Sequence, residues 1–300
     1  MCTSIQMKAA DGSVLFARTM DWHFSAPHPI ELPAGYAWRT VYNGKIVQNQ
    51  YAILGIGHVT AGDSGHADIS DGMNTAGLAA QKLTFSNASE YAVAADNDKI
   101  QLAAFEFVMW LLGNCASVAE ISEKLENVQL MTDEFSAYKF GRNDLHFAAT
   151  DLTGRMVRIE PLDGKLQVFE NPVSVMTNAP KFDREVAKLT DYLELTENTS
   201  GINRISTGSF RGKLAMPGGF TPTARFVRAT VLKDHAITPA DSRENLIETM
   251  HILNAVTVPK SETRSDTYTI YRSAVDLQQQ KLYYQSYDAM ALEEYAFHGN

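Results

Sequence analysis

The sequence predicts an α+β fold in which layers of antiparallel sheet carry helices on their outer faces. Three observations predict it. Periodic segments come in runs, strands then helices then strands again, instead of the βαβ alternation of a parallel sheet. Turn dipeptides, Asp11-Gly12 and Thr153-Gly154, join neighbouring strand-like segments. A length of 300 residues with 45% hydrophobic content supplies a large core, and neither a repeat nor a linker divides it, so residues 2–300 are expected to form a single domain.

Taken in order, Thr3–Lys8 and Ser13–Asp21 read as two strands of a hairpin turning at Asp11-Gly12. "YAILGIG" (51–57) is a further strand, and "GMNTAGLAAQKLTF" (72–85) is a turn feeding another. "IQLAAFEFVMWLLG" (100–113) is apolar almost all round and too short to span a bilayer, which predicts a buried helix. Val118–Val128 continues with helical spacing, and Ser117 with Glu120 resembles a capping box. Two strands flank Thr153-Gly154 within Leu145–Pro161, and Lys165–Pro180 carries two more. Asp183–Leu195, Ala224–His235 and Ser242–Val256 read as helices, and Thr267–Asp288 as a closing Tyr-rich hairpin. Turn chemistry marks His58–Ser70 and Thr199–Thr221 as loops.

A net charge of −9 argues against a nucleic-acid backbone or an anionic membrane as the main partner. No apolar run approaches the ~18 residues of a membrane span, and no basic region followed by an apolar stretch marks a signal peptide at the start of the chain. Two cysteines make no disulfide framework, which fits a reducing, cytoplasmic setting; an exported chain already cut from its leader would look the same.

One of those cysteines directly follows the start methionine. Cells remove that methionine when the next residue is small, and Cys2 would then carry its own free α-amine. Such an amine has a reference pKa of about 7.7–8.0, so it can take the thiol proton without another base. If Asp11-Gly12 is a two-residue turn, paired residue numbers sum to 23. Cys2 then faces Asp21, which would hold the amine through a charge-assisted hydrogen bond. Arg18 would point to the other face unless a bulge near Thr19–Met20 returned it to the thiol, where its charge favours thiolate. The competing reading is a terminal cysteine without consequence. Cys115, behind a helix full of Leu, Phe and Trp, reads as a small buried hydrophobe.

These residues resemble the start of the choloylglycine hydrolase family of N-terminal-nucleophile amidases, which includes penicillin V acylases and conjugated bile salt hydrolases. The resemblance continues in order through "YAILGIG", "DGMNTAGLAA", "LHFAATDLTGRMVRIEP", "VMTNAP", "GGFTPTARFVRA", "HILNAV" and "SDTYTIYRSAV". It implies a four-layer αββα sandwich and a hydrolase of linear amides that needs no metal or cofactor. It assigns Cys2 as nucleophile and base, Arg18 and Asp21 as the pair that orients and tunes it, Asn178 as an oxyanion donor, and Arg225 as the arginine completing the polar network. The chain departs from the pattern at Thr84, where bile salt hydrolases usually carry Asn and penicillin V acylases often Tyr. A backbone N–H donor at Thr84 would leave the chemistry intact but bears on the substrate. "FARTMD" and "FTPTARF" lean towards penicillin V acylase, with conjugated bile salts and N-acyl homoserine lactones as alternatives. Members are often tetramers, so a homotetramer is an expectation from the resemblance alone.

The acyl group cleaved in this family is apolar, and the sequence offers Trp22, Phe24, His58, Phe135 and Tyr138 as candidate contacts for it, with His23, Val59, Leu130, Met131 and Phe140 nearby in the chain. These residues could equally close a core or an oligomer interface. Other chemistries are poorly supported. His23 and His28 have no third ligand, Asp96-Asn97-Asp98 lacks the Gly and Glu of a calcium loop, and the glycine-rich segments lack the Lys-Ser/Thr of a phosphate loop. His146 and His251 sit in apolar runs and read as structural. A catalytically silent relative that binds acyl ligands is the alternative of another class; a purely structural or interaction protein has less to support it.

Overall fold

The computed structural model describes residues 1–23, 25–59, 65–132, 144–192, 214–264 and 266–298. In chain order the strands begin with Cys2–Lys8 (β1), Val14–Trp22 (β2), His28–Leu32 (β3), Ala37–Arg39 (β4), Ile46–Gln48 (β5), Ile53–Val59 (β6), Ala67–Asn74 (β7), Leu78–Thr84 (β8) and Ile100–Leu102 (β9). Helices Phe107–Asn114 (α1) and Val118–Leu125 (α2) follow, then Val128–Leu130 (β10), Leu145–Asp151 (β11), Met156–Leu162 (β12), Lys165–Glu170 (β13) and Val175–Met176 (β14). Helices Phe182–Leu189 (α3), Pro222–His235 (α4) and Ser242–Val256 (α5) precede Tyr268–Asp276 (β15), Lys281–Ser286 (β16) and Glu293–Ala296 (β17).

Two antiparallel sheets make the body. The first has the order β14-β1-β2-β15-β16-β17, the second β13-β12-β11-β8-β7-β6-β3. Period-two alternation decides what each face touches. In β1 and β2, Ile5, Met7, Leu15 and Ala17 pack with Phe226 of α4 and Leu253 of α5. The opposite face, with Cys2, Val14 and Phe16, packs on Ile56, Met73 and Leu83 of the second sheet. The second sheet's far side receives α1 and α2, where Ile69 and Phe147 meet Phe107, Leu111 and Ile121. Three apolar layers thus separate helix, sheet, sheet and helix, and the α+β sandwich expected from the sequence is the one observed. No helix among the described residues is long and apolar enough to cross a membrane.

Several expectations change. The loop expected over His58–Ser70 is strand up to Val59 and again from Ala67, and the helix expected over Val118–Val128 stops at Leu125. The apolar run at 100–113 is not one helix. Ile100–Leu102 pairs in parallel with Val128–Leu130, and the α-helix begins only at Phe107. Ser117 makes no side-chain cap. Instead Asp151 Oδ2 accepts the Val118 N–H at 2.9 Å, while Glu120 accepts the Ala116 N–H. The β1–β2 loop has three residues. Gly12 sits at φ +89°, Ala9 and Ser13 close the hairpin, and the pairing runs Cys2↔Met20 and Ser4↔Arg18. A turn ending in a left-handed glycine adds one residue to the loop. Paired numbers therefore sum to 22, and every side chain of β2 changes face relative to the two-residue expectation.

His146, on β11, is structural, as its setting in the sequence suggested. Its ring stacks on Phe85 with centroids 4.2 Å apart, and Nε2 lies 2.9 Å from the Thr177 carbonyl. Burial pushes its pKa from 6.5 down to about 3. Between those values the unfolded chain binds a proton that the native chain refuses, so stability is full above about pH 6.5 and falls as pH drops towards 3. The loss at the low end is on the order of 5 kcal/mol. Urea midpoints measured from pH 7 to pH 3.5 should fall more steeply in the wild type than in His146→Gln, whose amide does not titrate.

Candidate active site

Cys2 starts β1 at the open end of the gap between the sheets, and its side chain faces that gap with only 2% of the residue exposed. The register places Met20 opposite it, Sδ 3.7 Å from Sγ. Arg18, two residues back along β2, shares that face, so the guanidinium stands beside the thiol without any bulge in β2. The bulge lies on the neighbouring strand instead, between Thr269 and Tyr271 of β15. It sets Thr269 opposite Asp21 and Tyr271 opposite Met20, so the two residues serve different faces of the sheet.

Arg18 is fully buried and saturated. Nη1 donates to the Ser70 and Lys82 carbonyls at 3.0 and 2.9 Å, and Nη2 to Met20 Sδ at 3.0 Å. Its counter-charge is Asp71 of β7, 3.5 Å from Nη1. Asp71 Oδ1 accepts the Tyr271 hydroxyl, and Oδ2 accepts Ser273 Oγ at 2.6 Å. Burial opposes the charge on Arg18, but the anionic forms of Cys2, Tyr271 and Asp71 outweigh it, and the pKa rises. Burial lifts Asp71 above the usual carboxylate range against the pull of Arg18.

The other face of the hairpin carries a second arginine. Thr221 caps α4 by accepting the Ala224 N–H, and Arg225 in that first turn points at β1. Its Nη1 donates to the Cys2 carbonyl at 2.5 Å and to Thr3 Oγ1 at 2.7 Å; Nη2 donates to Asn178 Oδ1 at 2.8 Å. Asp21 lies on this face, 3.6 Å from Arg225, with Oδ1 accepting Thr269 Oγ1 at 2.6 Å. Asp21 is therefore not opposite Cys2, as the shorter turn would have had it. Its backbone carbonyl accepts from the Met1 nitrogen at 2.5 Å, and its buried Oδ2 accepts no hydrogen bond among the described residues. Asn178 Oδ1 also accepts the Cys2 N–H at 2.7 Å, while Nδ2 donates to the Thr84 carbonyl at 2.9 Å. Thr84 ends β8. Because the Phe85 N–H bonds the Asp144 carbonyl, alternation along the ladder turns the Thr84 N–H away from β11. Two buried arginine–aspartate pairs thus bracket Cys2, one on each side of its strand.

A pocket of about 230 Å³ opens onto the thiol, lined by Cys2, Met20, Trp22, His58, Lys82 and Thr84 among others. Of the candidate contact residues, Trp22 and His58 line it; Phe24, Phe135 and Tyr138 fall outside the described residues, as does Phe140. Leu130 and Met131 are buried in the core instead. Reading the sequence missed Met20, Asp68, Asp71, Lys82 and Tyr271. The available signal for Asp68 and Lys82 was parity: Asp68 with Ser70, and Lys82 with Thr84, are charged or polar residues two apart, so each pair shares one face of its strand.

The sequence matches the linear amide C–N hydrolases of the choloylglycine hydrolase family over residues 2–299. The chain belongs to the choloylglycine hydrolase family. A bile salt hydrolase/transferase of Clostridium perfringens is 31% identical over 299 residues, 96% of this chain and 90% of that protein. The C2A variant of the conjugated bile acid hydrolase from Clostridium perfringens superposes with a TM-score of 0.83 at 30% identity, covering 99% of this chain and 92% of the other. Penicillin V acylase from Agrobacterium tumefaciens shares the fold, with a TM-score of 0.77 at 23% identity over 99% of this chain and 86% of its own. This choloylglycine hydrolase family member is thus an amidohydrolase of linear amides with the N-terminal-nucleophile fold. The lean towards penicillin V acylase gives way to the bile salt hydrolase type, because the acylase is the more distant relative.

Proposed function

We propose that the chain hydrolyses N-acyl amides through Cys2 after loss of Met1, with conjugated bile salts as the first substrate class to test. One observation carries the reading: Cys2 stands at a strand end on the pocket wall, its nitrogen held by Asn178 Oδ1. Once Met1 is gone, that nitrogen is an α-amine. It takes the thiol proton, and sulfur attacks the amide carbon. The second N–H of Asn178 Nδ2 and the Thr84 N–H meet the oxyanion. The C–N bond breaks as the α-ammonium protonates the leaving amine, and water, deprotonated by the freed α-amine, cleaves the thioester. Asp21 Oδ2, paired with Arg225 at 3.6 Å but without a hydrogen bond among the described residues, is available to the α-ammonium. Arg225 holds Asn178 and the Cys2 carbonyl in place.

Glycocholate, penicillin V and an N-acyl homoserine lactone, assayed side by side with the purified chain, test this reading, and intact mass reports whether Met1 is absent. Turnover by a chain that keeps Met1, or none on any of the three, would overturn it. Asn178→Ala should lower kcat by about 10²–10³-fold with a smaller change in KM. An effect confined to KM would remove Asn178 from the oxyanion site.

A further inference from the structure

The pocket has two unlike walls. Met20, Trp22 and Pro27 offer apolar surface, while the second sheet contributes Asp68, Ser70, Lys82 and Thr84 beside Leu145. Within the polar wall, Lys82 Nζ and Asp68 Oδ1 form an ion pair; 9% of the lysine side chain and 33% of the aspartate side chain are exposed. His58 is the cross-strand partner of Asp68 on β6. The steps above leave this pair unused, since Arg18 takes the Lys82 backbone carbonyl and not its ammonium. Covering an ion pair is costly unless what covers it restores its hydrogen bonds. A hydrocarbon acyl group would strip water from Lys82 and Asp68 and give nothing back.

The pair is neutral as a unit, so it does not call for a charged ligand. Lys82 has further N–H donors and Asp68 a second oxygen, and a hydroxyl both accepts and donates. We propose that Lys82 and Asp68 select N-acyl amides whose acyl group carries a hydroxyl, over the same amides with plain hydrocarbon acyl groups. The inference rests on the amidase reading and names the substrate class of that same pocket. The hydrocarbon part of such an acyl group lies on Met20 and Trp22, and its oxygen edge on the second sheet.

The test uses N-acylglycines in matched pairs, with and without one acyl hydroxyl, in aliphatic, aryloxyacetyl and steroid series. The readout is the ratio of kcat/KM within each pair. The wild type should favour the hydroxylated member by about 10-fold or more in at least one series. Lys82→Met and Asp68→Asn should bring that ratio towards one, and Lys82→Arg, which keeps the donor, should retain most of it. Asp68→Asn preserves size, so it remains informative if Lys82→Met fails to fold. A wild-type ratio near one in all three series, or a ratio that neither variant moves, overturns the selection while leaving the amidase reading intact. If the wild type hydrolyses no amide in this panel or the earlier one, the amidase reading fails first, and the inference with it.

Discussion

Cys2→Ala is expected to fold like the wild type and to lose amide turnover by about 10⁴-fold or more. The methyl group of alanine occupies the same place at the start of β1, and the hydrogen bonds from the Cys2 N–H to Asn178 and from Arg225 to the Cys2 carbonyl are backbone contacts that survive the change. Only the sulfur proposed to attack is removed. Cys115 supplies the contrast. Burial pushes its thiol up to about 12, far from the reactive range. Iodoacetamide should therefore add one label to the wild type and none to Cys2→Ala, as read by intact mass. Cys115→Ala should keep its activity, with stability lower by about 1 kcal/mol from the small void. Full turnover by Cys2→Ala would end the mechanism proposed above.

Asp71→Leu is the second large effect, and it falls on stability. Asp71 is the carboxylate beside Arg18, and both are buried between the sheets. Leucine would leave a guanidinium without its counter-charge and the Tyr271 and Ser273 hydroxyls without their acceptor. Breaking a buried pair from one side costs about 3–5 kcal/mol, which corresponds to a melting temperature lower by roughly 10 °C. Asp71→Asn, which keeps one oxygen as acceptor and offers an amide N–H that a reoriented Ser273 hydroxyl can accept, should cost less. Thermal unfolding followed by circular dichroism separates the two variants; equal midpoints would show that the charge on Asp71 carries no stability.

How far these features are legible in the sequence varies with their range. The first hairpin is legible because its apolar alternation is local. Its register is not, because the same Asp11-Gly12 pair serves a two-residue turn or a three-residue loop; Gly12 is left-handed in both, and Asp11, which a two-residue type I′ turn would also hold at positive φ, is not so held here. The start of α1 is hidden for a related reason. A run apolar on every side has no face to betray where strand ends and helix begins, and the partner of Ile100–Leu102 lies beyond α2. Cys2, Arg18, Asp21, Asn178 and Arg225 stand out through motifs that resemble a known family. Asp71 and Tyr271 do not, because a buried ion pair is defined by residues that meet only after two sheets close.

The grip of Arg225 on the first strand has a bearing on biogenesis. The Cys2 carbonyl is held from α4, and β2 is flanked by β15, so the leading strand is enclosed by polypeptide made late. At about 5–20 residues per second, ribosomes need roughly 10–50 s to reach Tyr268. Throughout that interval the initiator residue remains open to an aminopeptidase. Afterwards its nitrogen is bonded to the Asp21 carbonyl and the strand that follows it is held from both sides. On the mechanism proposed above, maturation is a race between trimming and closure, and a chain that lost the race would be well folded and permanently inert.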